Sequence, residues 1–516
     1  MGAAAESDDV RGGSIMADHR NQDAAASGTA FSRRALLKGV TTVSAGAIGA
    51  RGIYELLDTF GVVRPDATAE AATVRRLQEQ YLVEKIQAVL DNGVTCAIPP
   101  LHNDVITAKL KSTATWSAKS LKAAQARLEN ALSAVESPYP DTAAGLTIVV
   151  GWGLPFFRTF LPPSLQARLP VDVALSKQAG ATRYAVLDAI QFPSDPGTIR
   201  LEDNHVMFKV RSDSPDILRQ VESALFDDAS NKAYVGDLFD VTSKRIGFLG
   251  RGFGTTSIGK QLAVAAGVPG AGQIPDNSQL MMGFTSTQTA ALGPDNIVSF
   301  ETLPGITDQW PSGYFAAGCA MHLSHLYEDL AAWYGSSYSA RVIRMFSPQM
   351  PVPADQATVT LPNGPANVTS RAQLGQDATG GVLGHNETLQ QATRLAANVT
   401  DNYGRLRPAG TAVPIREDFN TIDNPFAWSA DPAGDGWSST AAAGLHFVAF
   451  TPASSKFHAA RNAMDGVLPD GTNLRSAPYN ITDANNGLNG VIRASHRQNY
   501  LIPPRRHRSF PLTELL

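Results

Sequence analysis

Val105-Ile106-Thr107-Ala108-Lys109-Leu110 alternates as a strand does, and Ser117 to Ser137 then carries Leu121, Ala124, Leu128 and Leu132 at helical spacing. The apolar period has switched from two to about 3.6, which marks a strand giving way to an amphipathic helix. Leu146-Thr147-Ile148-Val149-Val150 reads as a buried strand, ended by Gly151-Trp152-Gly153-Leu154-Pro155. Beyond a stretch punctuated by Pro and Gly, Val206-Met207-Phe208-Lys209-Val210 is another strand. Ser214-Pro215-Asp216 opens a helix through Leu218, Val221 and Leu225, with Ser214 as N-cap and proline in the first turn. Arg245-Ile246-Gly247-Phe248-Leu249 is the last strand of the set. Strand, helix, strand, strand, helix, strand is the order of a ferredoxin-like unit.

A second unit follows a glycine-rich connector at 251–275. Gln279 to Phe284 and Gly313 to Leu323 read as strands, and Ser324 as the N-cap of a helix with Leu326, Leu330 and Trp333 on one face. Residues 347–380 are rich in Pro, Gly, Asn, Gln and Thr and read as a long insertion. Val413-Pro414-Ile415-Arg416, a strand from Leu445 to Phe450 and a helix from Ser454 to Met464 complete it. The expected fold is α+β, two ferredoxin-like repeats at 70–250 and 276–516, preceded by a disordered N-terminus and signal at 1–69.

That N-terminal region contains Ser32-Arg33-Arg34-Ala35-Leu36-Leu37-Lys38, followed by a small apolar run from Gly39 to Ala50. The layout resembles a twin-arginine export signal, which implies the twin-arginine translocation machinery as partner and a periplasmic, cell-envelope or secreted destination. That route carries proteins already folded, often with a cofactor in place. Glu55 interrupts the following Ile53-Tyr54 and Leu56-Leu57, which argues against a span of ~20 apolar residues. Small-residue cleavage sites stand at Ala45-Gly46-Ala47 and Ala67-Thr68-Ala69, the second being favoured. A net charge of −4 and 43% hydrophobic residues offer nucleic acid nothing. The cluster Arg505-Arg506-His507-Arg508, after Pro503-Pro504, reads as a solvated tail. Cys96 and Cys319 allow one disulfide outside the cytoplasm and match no zinc spacing.

Gly254-Thr255-Thr256-Ser257-Ile258-Gly259-Lys260 has P-loop spacing, but Gln261 stands where a Ser or Thr should hold magnesium. No Gly-x-Ser-x-Gly elbow or His-Glu-x-x-His helix occurs. His322 and His325, near Glu328 and Asp329, offer a metal site only if they face the same way. His446 lies in an apolar strand, facing a cavity or satisfied within the core. His385, in Gly381-Val382-Leu383-Gly384-His385, has glycine on its N-terminal side and room for something bulky to approach.

The order of segments around His385 resembles the C-terminal half of the dye-decolorizing (DyP-type) haem peroxidases. Gly283-Phe284-Thr285-Ser286-Thr287 comes first, then Gly313-Tyr314-Phe315 leading to Trp333, then His385. Pro414-Ile415-Arg416-Glu417-Asp418-Phe419 and Gly444-Leu445-His446-Phe447 leading to Phe457 follow, and Val149-Val150-Gly151-Trp152-Gly153 is similar to a strand end of the first repeat. The resemblance implies a DyP-like dimeric α+β barrel binding haem b, with His385 as ligand to the haem iron and Arg416 on the opposite face. It implies hydrogen peroxide and a small organic reductant as substrates. Ser286 stands where the family has its distal aspartate, and Thr287 replaces the following glycine. Serine is a poor base at neutral pH, so the expected peroxidase is weak; the alternative is an inactive DyP-like binding or haem-carrier protein. A homo-oligomer is left open.

Overall fold

Strand β1 (His102–Leu110) leads through Ser117 into helix α1 (Ala118–Glu136). Ser117 caps the helix by accepting the Ser120 N–H, and Leu121, Leu128 and Leu132 sink into the core. Each such leucine stabilises the fold by roughly 1.5–3 kcal/mol. Strands β2 (Thr147–Gly153) and β3 (Val206–Ser212), helix α2 (Pro215–Glu222) and strand β4 (Phe239–Phe248) complete the first half. Antiparallel pairing places them in the order β4-β1-β3-β2, the ferredoxin-like arrangement. This computed structural model describes residues 76–91, 94–250, 257–276, 278–284, 296–349, 369–423 and 441–516. The twin-arginine segment, Ser286 and residues 350–368 of the expected insertion lie outside these residues, as does the side chain of Cys96.

The second half repeats the plan. Its strands are β5 (Cys319–Glu328), β6 (Phe419–Thr421), β7 (Gly444–Thr451) and β8 (Ile492–Ile502). Helix α3 (His385–Thr393) precedes β6, and helix α4 (Ser454–Met464) joins β7 to β8. The order is β8-β5-β7-β6, again ferredoxin-like. Strand β2 pairs with β8, and β6 touches β4 through Asn420 and Phe248, so the eight strands close into a barrel with no free edge between the halves. One face of the strands, with Val105, Val149, Met207, Met321, Val448 and Tyr500, fills the interior. The other, with Ile106, Ile148, Phe208 and Phe248, packs under the first-half helices.

The interior is not purely apolar. Lys209 and Arg211 of β3 both reach Glu417, at 2.6 Å and at 2.6–2.7 Å. All three side chains are buried, and Arg211 also donates to the carbonyls of Gln80 and Tyr81 at 3.1 and 3.3 Å. Burial pushes the Lys209 ammonium down to about 8, with Glu417 resisting. Burial works against the Glu417 carboxylate, yet Arg211 and Lys209 hold it below its ordinary value.

Four expectations are corrected. Residues 279–284 form turns rather than a strand. Ser324 does not cap a helix but lies inside β5, and the helix begins at Leu330 behind Asp329. Strand β5 lies between β7 and β8 and is buried on both faces, so it shows no alternation, and Leu326, Leu330 and Trp333 imitate a helical stripe. The 251–275 connector contains a helix (Ile258–Ala265), and the 347–380 insertion contains another (Arg371–Thr379). Finally, Arg505 and Arg508 are no solvated tail. Both are buried, each bonded to Glu136 of α1 at 2.9 Å, and Arg508 also meets Glu129 at 3.0 Å.

Removing the Glu417 charge strands two buried cations. Glu417→Gln is expected to lose about 3–5 kcal/mol of stability in urea unfolding, whereas a loss under about 1 kcal/mol contradicts a structural role for the triad.

Candidate functional site

His385 is the first residue of α3, and two glycines make its position possible. A Cβ on Gly384 would lie 2.1 Å from the Phe346 carbonyl oxygen. A Cβ on Gly487, which adopts φ +52°, would lie 2.8 Å from the backbone N and Cα of His385. The chain therefore packs flush against this histidine, which as a residue is only half-buried. Its Nδ1 is buried without a hydrogen-bond partner. Burial, then the charges of Arg416 and Arg461, push the imidazole down to about 3. His385 is thus neutral at physiological pH, the form in which imidazole coordinates a metal.

Arg416 belongs to a two-residue strand, Ile415–Arg416, paired with Phe450 and Ala449 of β7. Ile415 and Phe419 pack with the barrel interior and Glu417 bonds within it, so alternation turns Arg416 outward. The Arg416 side chain is 52% exposed and only loosely paired, 3.7 Å from Asp418. Asp418 is itself occupied with the Val448 N–H at 3.1 Å. The Arg416 charge is one of those that bear on His385.

Other residues at this place were missed. A strap from the first half crosses onto the outer face of the second-half sheet. On it, Asp195 receives Arg497 of β8 at 2.5 Å and Arg461 of α4 at 3.3 Å. Ser194 bonds Asp465 at 2.7 Å, and Phe192 lies 4.8 Å beneath the Arg497 guanidinium. Phe457 of α4 stacks on His322 with ring centroids 3.6 Å apart, and Phe192 meets Phe457 edge-on at 6.2 Å. The i,i+4 spacing of Phe457 and Arg461 on one helix face, continued by Asp465 at the C-cap, was the available signal.

His322 and His325 point to opposite sides of β5, which removes them as a metal pair. His322 bonds Asn499 at 2.7 Å on the outer face. His325 lies inside the barrel beside His446, ring centroids 4.2 Å apart, and the ring nitrogens of both are buried without partners. Among the described residues, no group of three or more His, Cys, Asp or Glu side chains is arranged to hold a metal ion. No described helix is long and apolar enough to cross a membrane. Cys319 is a free buried thiol, and burial pushes its ionisation up.

The donor set meets part of what haem requires. A neutral imidazole is present, and the Arg416 and Arg461 cations lie within electrostatic reach of it. The acceptor that usually orients a ligating histidine through its other nitrogen is missing at Nδ1. Clefts of about 470 and 230 Å³ occur elsewhere, neither lined by His385 or Arg416.

Below His385, Glu387 accepts the Gly384 N–H at 2.5 Å. Burial pushes its carboxyl up to about 9, with Asp377 adding to the effect. The folded value stands above the ordinary 4.5, so the stabilisation from the neutral acid is complete below about 4.5 and is lost as pH climbs toward 9. Glu387→Gln keeps both hydrogen-bonding atoms and cannot ionise. In urea unfolding it should match the wild type at pH 4 and exceed it by at least ~2 kcal/mol at pH 9. Parallel pH profiles contradict a neutral Glu387.

An encapsulated DyP-type peroxidase from Mycobacterium smegmatis is similar in structure, with 14% identity and a TM-score of 0.44 over 80% of this chain and 95% of that one. A dye-decolorizing protein from V. cholerae shows 14% identity and a TM-score of 0.43 over 80% and 96%. DyPB from Rhodococcus jostii RHA1 shows 12% and 0.43 over the same shares. No curated protein matches the chain. Residues 100–504 match DUF7405, a family of unknown function, and the chain belongs to that family.

Proposed function

We propose that this chain is an exported haem protein with weak peroxidase activity of the dye-decolorizing type. The observation that carries the reading is His385, neutral and with Nδ1 unbonded, under the electrostatic influence of Arg416, whose half-exposed guanidinium lies 3.7 Å from Asp418. When bound, haem supplies the iron at which hydrogen peroxide is reduced and an organic donor is oxidised. His385 is the residue that would hold that iron. The Arg416 guanidinium would stabilise negative charge developing on a peroxide oxygen. Ser286, in place of the family's aspartate, is a poor proton acceptor, and losing a positioned acid–base group costs ~100- to 10,000-fold in rate. Export rests on Ser32 to Lys38.

A second reading, a haem carrier or binding protein without turnover, is favoured by two observations. Nδ1 of His385 has no acceptor, and Phe192, Phe457 and His322 pack tightly over the sheet face nearby.

Expression with haem supply in a host that has the twin-arginine route tests both. The wild type should leave the cytoplasm with a Soret band near ~400 nm from histidine-ligated haem. Arg33→Lys with Arg34→Lys should stay inside. His385→Ala should lose the band, and Arg416→Ala should keep it and lose reactivity toward peroxide. A Soret band with no peroxide turnover selects the carrier reading; no band in folded protein rejects the peroxidase and the carrier and leaves a binding role without haem.

A further inference from the structure

The cleft of about 470 Å³ lies apart from His385, and its lining includes Glu79, Glu84, Glu301, Tyr403, Arg76 and Arg506. Its two arginines are already committed. Arg76 bonds Asp141 and the carbonyls of Glu136, Tyr139 and Leu146 at 2.7–3.1 Å. Arg506 donates to the carbonyls of Tyr314 and Ala316 at 3.4 and 3.2 Å. The carboxylates are set differently. Glu301 is buried at 3% exposure and rigidly held, one oxygen accepting the Tyr403 hydroxyl at 3.0 Å and the other the Ala317 N–H at 2.8 Å. Glu79 is half-buried, and burial together with the Glu301 charge raises its carboxyl against the partial offset of a backbone hydrogen bond and of Arg506.

Tyr403 is 56% exposed, and Trp310, 42% exposed, meets it edge-on at 5.1 Å and 85°. The hydroxyl bond to Glu301 pins the Tyr403 ring at the cleft, beside a fixed negative charge. A ring face next to carboxylates is the chemistry that attracts an ammonium group: the π-cloud and the anions act on the same cation. A cation there would also relieve the mutual repulsion of Glu79 and Glu301.

We propose that this cleft binds a small organic ammonium ion, held by Glu79 and Glu301 against the ring of Tyr403. The site is independent of the haem reading. Isothermal titration of the full chain with choline and with putrescine, at matched ionic strength, tests it. Saturable binding of at least one is expected. Tyr403→Leu and Glu79→Gln should each weaken it about tenfold, the scale of one desolvated cation–π contact or ion pair. Tyr403→Phe keeps the ring and loses only the hydroxyl that pins it, so it should weaken binding less than Tyr403→Leu, which separates the ring's contribution from that of the pin. Absence of binding to both amines overturns the proposal. So does binding indifferent to Tyr403→Leu and Glu79→Gln, or a preference for a neutral sugar such as maltose over either amine.

Discussion

The buried Lys209–Glu417–Arg211 triad ties the two halves together, and the placement of the candidate site follows from it. Two cations on a first-half strand hold one carboxylate from the second half inside a closed barrel. Because strand residues alternate, fixing Glu417 inward turns Arg416 outward, onto the side where α3 presents His385. A one-residue slip would reverse both. Burying three charges gains little net stability by itself, but it makes any other register costly.

A second electrostatic clasp works on the outside. Glu136 of α1 gathers Arg505 and Arg508 from the chain's end, and Trp152 donates its indole N–H to the Arg508 carbonyl at 2.8 Å. Burial works against the Glu136 carboxylate, and Arg508 and Arg505 keep it below its ordinary value. The C-terminal segment after β8 thus packs onto the first repeat, reinforcing the seam between β2 and β8.

The first repeat was legible because its strands and helices carry distinct periods. Ser117, Ser214 and the leucines of α1 read directly onto the structure. The helix Ser454–Met464 was equally clear. The second repeat was harder. Strand β5 is covered on both faces and loses its alternation, and β8, with Arg493, His496 and Arg497 along it, reads as polar although most of it is buried. Partners more than 300 residues apart in sequence, such as Arg497 with Asp195 or Arg505 with Glu136, leave no local signal. Segment order drew attention to His385 and Arg416. It could not disclose that a strap carrying Phe192 and Asp195 lies over the sheet near them, since that strap belongs to the other repeat.

In the proposed function His385 would hold haem iron and Arg416 would bear on the same site. Anomalous diffraction at the iron edge, from crystals of protein produced with haem supply, tests it most directly. The account predicts an iron peak within coordination distance of the His385 imidazole, with the Arg416 guanidinium across the porphyrin. Iron-free density, with Phe192 and Phe457 still packed as they are here and His385 bonded only to protein or water, would contradict it.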